Sequence, residues 1–210
     1  MQKKFVKDPI KIAITGKIGT GKSTISNIIK RLDYLVFDCD DEVDVLYSDL
    51  QVKNRIVELF KNKIVKLLNK DKTINRTNLS NFVFSKKSEL KKLEKIIHPL
   101  VEKRRKEFIK KECDRDLLFF DVPLLFEKKL SQQFDFIIYL YVNKKIQLER
   151  VLKRSGMTKK KFNEIYKSQR HNLKMNEKFI SLKLNTEKSI SDLKEKIQSF
   201  IIEIKKNKIT

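Results

Sequence analysis

Apolar and polar residues fall in blocks along the chain, and the spacing within each block separates strands from helices. Ile10-Lys11-Ile12-Ala13-Ile14 is a short β-branched run that stops at a glycine, which predicts a buried strand. From Ser23 to Leu32 the apolar residues Ile25, Ile28, Ile29 and Leu32 recur at helical spacing. Tyr34 to Phe37 predicts a second strand, ending at Asp38, and from Asp41 to about Glu112 the signal is helical throughout. Leu117 to Phe120 is a continuous apolar run that halts at Asp121. Phe134 to Val142 is another, with a helix over Lys144 to Arg154 behind it. Thr158 to Gln169 reads as a basic helix that Thr158 can cap. Ile180 to Leu184 predicts the last strand and Ser189 to Ile204 a closing amphipathic helix.

Strands that are apolar on both faces and separated by helices make a parallel sheet covered on both sides. The expected fold is therefore a three-layer α/β/α domain. Its core takes in residues of about 1–50, 113–153 and 179–210. The helical stretch between the second and third strands is too long for a simple crossover and predicts an inserted lobe at about 51–112. A shorter insert follows the fourth strand at about 154–178.

Composition narrows this picture. A chain of 210 residues is one domain at roughly 150 residues per domain, and its 40% hydrophobic residues, 14 Phe among them, supply a core. The four Gly and two Cys exclude collagen-like and disulfide-scaffold classes. No apolar run is long enough to span a membrane. The basic start, Met1 to Pro9, lacks the long apolar stretch of a signal peptide, so the expected compartment is the cytoplasm. The formal charge of +22 invites a nucleic-acid partner. Yet only nine of the 49 basic residues are Arg, and the Lys is spread along the whole chain. That distribution reads as a solvated surface, and no nucleic-acid partner is expected.

The chemistry concentrates elsewhere. Gly16-Lys17-Ile18-Gly19-Thr20-Gly21-Lys22-Ser23 matches G-x-x-x-x-G-K-[ST] at every fixed position, after a predicted strand and before a predicted helix. In that context the glycines let backbone N–H groups turn around a polyphosphate at a helix N-terminus. Lys22 then reaches the outer phosphates, and the Ser23 hydroxyl binds Mg²⁺. Asp121, closing an apolar strand, is a second candidate for Mg²⁺; the alternative is a cap on the turn at Pro123. Asn143-Lys144-Lys145-Ile146 lacks the Asp of the guanine-specific N-K-x-D, which favours ATP. Asp38 and Asp40 bracket Cys39 at the carboxyl end of a strand, where ligands bind in open parallel sheets. A carboxylate there can accept the proton of an attacking hydroxyl, or Asp40 or Asp41 can cap the next helix. Arg150 and Arg154 stand four apart on one predicted helix face, suited to the charge of transferring phosphates or simply to solvent. His98-Pro99, on residue chemistry alone, reads as a turn or core histidine.

Taken together, ITGKIGTGKST (Ile14 to Thr24), VFDCD (Val36 to Asp40), NRTNLSNFVF (Asn75 to Phe84), IHPLV (Ile97 to Val101), DVPLLFE (Asp121 to Glu127), QLERVLKR (Gln147 to Arg154), Gln169 and Asn185 resemble the dephospho-CoA kinases. These are P-loop enzymes of the nucleoside-monophosphate-kinase type. The resemblance implies transfer of the γ-phosphoryl of ATP, with Mg²⁺, to the ribose 3′-hydroxyl of dephospho-CoA. It makes Asp40 the base, with Asp38 close by, and places His98, Pro99 and Leu124-Leu125 along the acceptor site. The resemblance makes the insert at about 51–112 a CoA-binding lobe that includes Arg76 and the insert at about 154–178 a small helical lid, with Arg150 and Arg154 on the lid side of the phosphates. Gly16, Gly19, Thr20, Gly21, Lys22, Ser23 and Thr24 hold the nucleotide. The sequence departs from the family pattern at Lys17, Asp33 and Lys72, which stand where it usually has Gly, at Cys39, which replaces a small apolar residue, and at Phe179-Ile180, where the family usually has Ala-Asp. The alternatives are another small-molecule P-loop kinase, or a basic nucleic-acid-binding ATPase.

Overall fold

The computed structural model describes residues 8–169 and 173–207. Its strands are β1 (Ile10–Gly16), β2 (Val36–Asp38), β3 (Leu117–Asp121), β4 (Phe136–Tyr141) and β5 (Leu182–Asn185), in the sheet order β2-β3-β1-β4-β5. The pairs β1–β3, β1–β4 and β4–β5 are parallel. All five residues of β3 are buried, as its unbroken apolar run requires. Register places Ile14 opposite Asp121 and Gly16 opposite Leu140, so the ends of β1 and β3 lie side by side.

Helices α1 (Lys22–Lys30), α2 (Cys39–Ser48), α3 (Leu50–Phe60), α4 (Arg76–Ser85), α5 (Lys87–Lys111), α6 (Lys144–Leu152), α7 (Lys159–Ser168), α8 (Leu173–Asn176) and α9 (Ile190–Asn207) complete the α/β fold. The chain divides into two compact units: residues up to Phe37 together with those from Glu112 onward, and Asp38–Lys111. In the first, Ile12 and Ile14 of β1, Ile25 and Ile29 of α1, Phe119 of β3 and Ile197 of α9 share one buried core. The second has a core of its own, built on Leu46, Ile56, Phe60, Leu79, Val83 and Ile97. Helix α2 falls in this second unit because it packs on α3 and α5.

Several boundaries differ from the hydrophobic pattern, each for a local reason. The expected unbroken helical stretch from Asp41 is interrupted over 61–75, where Leu68 and Ile74 form an antiparallel bridge. There Lys66 and Lys72 adopt positive φ, and Asp71 accepts from the Thr73 N–H at 3.0 Å. The last strand starts at Leu182 rather than Ile180, since Glu177–Phe179 forms a 3₁₀ turn first. Helix α6 stops at Leu152, and the chain turns through Gly156 at φ 72°, so Arg150 and Arg154 do not share a helix face. Pro99 makes no turn: α5 runs through it to Lys111.

Candidate active site

The phosphate loop is built as the motif demands. A Cβ at Gly16 would lie 2.6 Å from both the Leu140 carbonyl oxygen and Thr20 Oγ1, so only glycine fits between the loop and β4. Gly21 takes φ 86° at the N-cap of α1, a helix start that has no side-chain cap. Its first N–H groups are thereby left for an anion, at the positive end of the helix dipole. Thr20 Oγ1 donates to the Lys17 carbonyl at 2.8 Å, closing the loop on itself. The Lys22 ammonium donates to the Gly16 carbonyl at 3.1 Å and so lies folded over the loop. Ser23 and Thr24, in the first turn of α1, are exposed.

Around this loop the core unit places several further groups. Asp121 is buried at the end of β3, and its Oδ2 accepts from Ser26 Oγ of α1 at 3.2 Å. Arg150 stands beside Gly21: its Nη1 and Nη2 donate to Thr186 Oγ1 at 3.0 Å and to the Thr186 carbonyl at 2.8 Å. Gln169, buried just past α7, accepts from the Ile18 N–H at 2.6 Å. Glu127 sits among cations. Burial pushes its carboxyl above the usual glutamate range, against the opposing pull of its backbone hydrogen bond and of Lys17, Lys128 and Lys22. The Tyr139 phenol is pushed up to about 12, by burial first, then by Tyr166 and Glu127. Arg154 lies exposed in the turn after α6.

The helical unit carries the remaining candidates. Asp38 is the N-cap of α2, its Oδ1 accepting from the N–H groups of Asp40 at 2.9 Å and Asp41 at 3.2 Å. Capping thus falls to Asp38 rather than to Asp40 or Asp41, and Asp40 stands exposed in the first turn. Arg76 opens α4, forms an ion pair with Asp44 and lies over the Tyr47 ring at 5.5 Å. His98 is neither a turn nor a core residue: it is half exposed on α5, with Nε2 3.8 Å from Glu94 Oε1. Arg76, His98, Glu94, Tyr47 and Val43 line one cavity of about 380 Å³ with a mainly apolar floor. Pro99 is exposed on the same helix, outside that lining. In the core unit Leu125 is fully buried, so its side chain packs rather than faces a ligand.

Comparison with known proteins decides what this machinery belongs to. The model of the dephospho-CoA kinase family matches residues 10–185. A dephospho-CoA kinase of Bartonella quintana is 33% identical over 198 residues, covering 93% of this chain and 98% of that protein. One from Fusobacterium nucleatum is 33% identical over 189 residues, covering 90% and 95%. The chain belongs to the dephospho-CoA kinase family. Its fold is also that of the dephospho-CoA kinase from Campylobacter jejuni, with a TM-score of 0.66 at 22% identity over 94% of this chain and 98% of that one. The family consists of kinases that carry out the final step of coenzyme A biosynthesis.

Around the loop, Asp121 and Arg150 the structure adds contacts or charge from Thr186, Gln147, Tyr166 and Glu127. Thr186 lies in the turn after β5 and Gln147 in the mixed polar and apolar helix α6; Gln147 donates to the Val142 carbonyl at 2.8 Å, and its backbone closes on Gly19. Tyr166 and Glu127 act through tertiary contact alone. Gln147, Glu127 and Gln169 stand among the family-like residues, and Gln169 is here tied to the loop.

Proposed function

We propose that this chain transfers the γ-phosphoryl group of ATP to the ribose 3′-hydroxyl of dephospho-CoA, releasing CoA and ADP. The observation that carries the reading is a family match over residues 10–185 lying on a phosphate loop with no room for a side chain at Gly16. Gly16, Gly19, Thr20, Gly21, Lys22, Ser23 and Thr24 hold the triphosphate through backbone N–H groups, the Lys22 ammonium and hydroxyls. Arg150, kept in place by Thr186, meets the charge that builds on the transferring group, and Arg154 adds to it from the lid side. Asp40 accepts the proton of the 3′-hydroxyl as its oxygen bonds to the γ-phosphorus and the bond to the ADP oxygen breaks. Asp38 orders the turn that carries Asp40. Arg76, His98 and Pro99 serve the acceptor, with Arg76 and His98 acting through the cavity they line and Leu125 supporting from within the core.

The donor set suits Mg²⁺. The Ser23 hydroxyl and the Asp121 carboxylate are hard oxygen ligands, and magnesium takes one or two such protein oxygens beside phosphate and water. When bound, the ion neutralises phosphate charge; Asp121, held by Ser26, keeps its carboxylate aligned at the end of β3. We place the enzyme in the cytoplasm, where Cys39 and Cys113 stay free thiols. Among the described residues no helix is long and apolar enough to cross a membrane.

Steady-state kinetics with dephospho-CoA and MgATP test the assignment. Lys22→Ala and Asp40→Asn are each expected to lower kcat by at least about a hundredfold, the scale of a lost electrostatic or general-base contribution, with unchanged circular dichroism. Full activity in Asp40→Asn would remove it as the base.

A further inference from the structure

Two contacts join α7 and the residue that caps it to the phosphate loop, and a third joins α7 to α6; none involves a fixed position of the motif. The Tyr166 ring of α7 has the Lys17 ammonium 4.1 Å from its centroid and the Lys144 ammonium 4.8 Å from it. Tyr166 is itself backed by Phe162, fully buried one turn earlier, with ring centroids 5.6 Å apart. At the end of the same helix, buried Gln169 accepts the Ile18 N–H at 2.6 Å. Residues 17 and 18 of the loop are therefore both gripped by α7, one through a side chain and one through its backbone. Two ammonium groups at one ring repel each other, and the electron-rich face of the ring offsets that repulsion. A polyanion bound in the loop would offset it further.

We propose that Tyr166 is a positioning residue of the phosphoryl-transfer site: by holding the Lys17 and Lys144 ammonium groups at its ring while Gln169 holds the Ile18 amide, it keeps two cations beyond the motif lysine beside the loop that takes the triphosphate. The inference rests on the reading of that loop as the ATP site. Tyr166 does not touch the reacting atoms; it acts through Lys17, Lys144 and the docking of α7. Without the ring the two ammonium groups relax into solvent, and the loop loses charge and one of its anchors.

The test uses the full chain with Tyr166→Leu, Tyr166→Phe and Lys17→Met, circular dichroism confirming the fold of each. Calorimetric titration with MgATP alone is expected to show about tenfold weaker binding for Tyr166→Leu, the combined effect of two cation–π contacts at a half-exposed site. Lys17→Met should lose about threefold to fivefold, as one of the two contacts, and Tyr166→Phe, which keeps the ring face, should stay within about twofold of wild type. In kinetics the Tyr166→Leu loss is expected in KM for ATP far more than in kcat. Unchanged ATP affinity in Tyr166→Leu, or an equal loss in Tyr166→Phe, overturns the proposal. Amide hydrogen exchange without nucleotide gives a separate readout, with faster exchange expected at Ile18 in Tyr166→Leu and protection restored in Tyr166→Phe. If wild type failed to bind ATP, the reading of the loop would fall. Exchange at Ile18 would still decide the clasp, and unchanged protection in Tyr166→Leu would overturn it.

Discussion

Glu127 ends the D-V-P-L-L-F-E segment, half-buried, with its carboxyl held above the usual glutamate range chiefly by burial. The sign of its effect on stability follows. A folded-state pKa above the unfolded value means that the folded chain binds the proton more tightly, so this contribution is fully present at low pH. It is lost as pH rises from the unfolded glutamate range, about 4.3, through the folded value. Glu127→Gln carries no ionisation and escapes the loss. Thermal melts from about pH 4 to 7 should therefore show the variant gaining on wild type as pH rises; a gap independent of pH would contradict the burial argument. Asp38 and Asp40 show a different division of labour two residues apart. Asp38 spends its carboxylate on the N-cap of α2, and an acidic cluster before a helix announces a cap without saying which member provides it.

At the scale of elements, the site depends on where α6 ends. Arg150 lies in its last turn, reaching Thr186 beyond β5, whereas Arg154 falls in the turn that follows. A spacing of four residues predicts a shared face only while the helix continues, and Lys153 already caps this one. The two arginines should thus be unequal. In a double-mutant cycle on kcat/KM for ATP, Arg150→Ala and Thr186→Val are expected to couple by about 1.5 kcal/mol, one charged hydrogen bond, whereas Arg154→Ala and Thr186→Val should be additive. Equal coupling for both arginines would refute the assignment. The strands and α1 were legible because β-branched runs and helical spacing record burial directly. The break over 61–75 was not, because its Lys-rich sequence carries no Gly or Pro and turns through positive φ at Lys66 and Lys72.

For the whole molecule, two cores are visible, one around the sheet and one within the helices, and the candidate site residues are divided between the units built on them. The loop, the acidic strand end and the parallel sheet were readable in sequence because glycine pattern and strand context are local. Thr186 and Tyr166 were not, since their contacts span long stretches of chain: Thr186 lies 36 residues from Arg150. The charge of +22 is carried largely by Lys dispersed over the chain, in keeping with a solvated surface. The identity of the acceptor is read from the product. Purified protein is incubated with MgATP and, separately, with dephospho-CoA, nucleosides, nucleoside monophosphates and an oligonucleotide, and the phosphorylated product is identified by mass and ³¹P NMR. CoA, phosphorylated at the ribose 3′-oxygen, is expected in equal amount with ADP and only from dephospho-CoA. Turnover of a different acceptor with none of dephospho-CoA would contradict it.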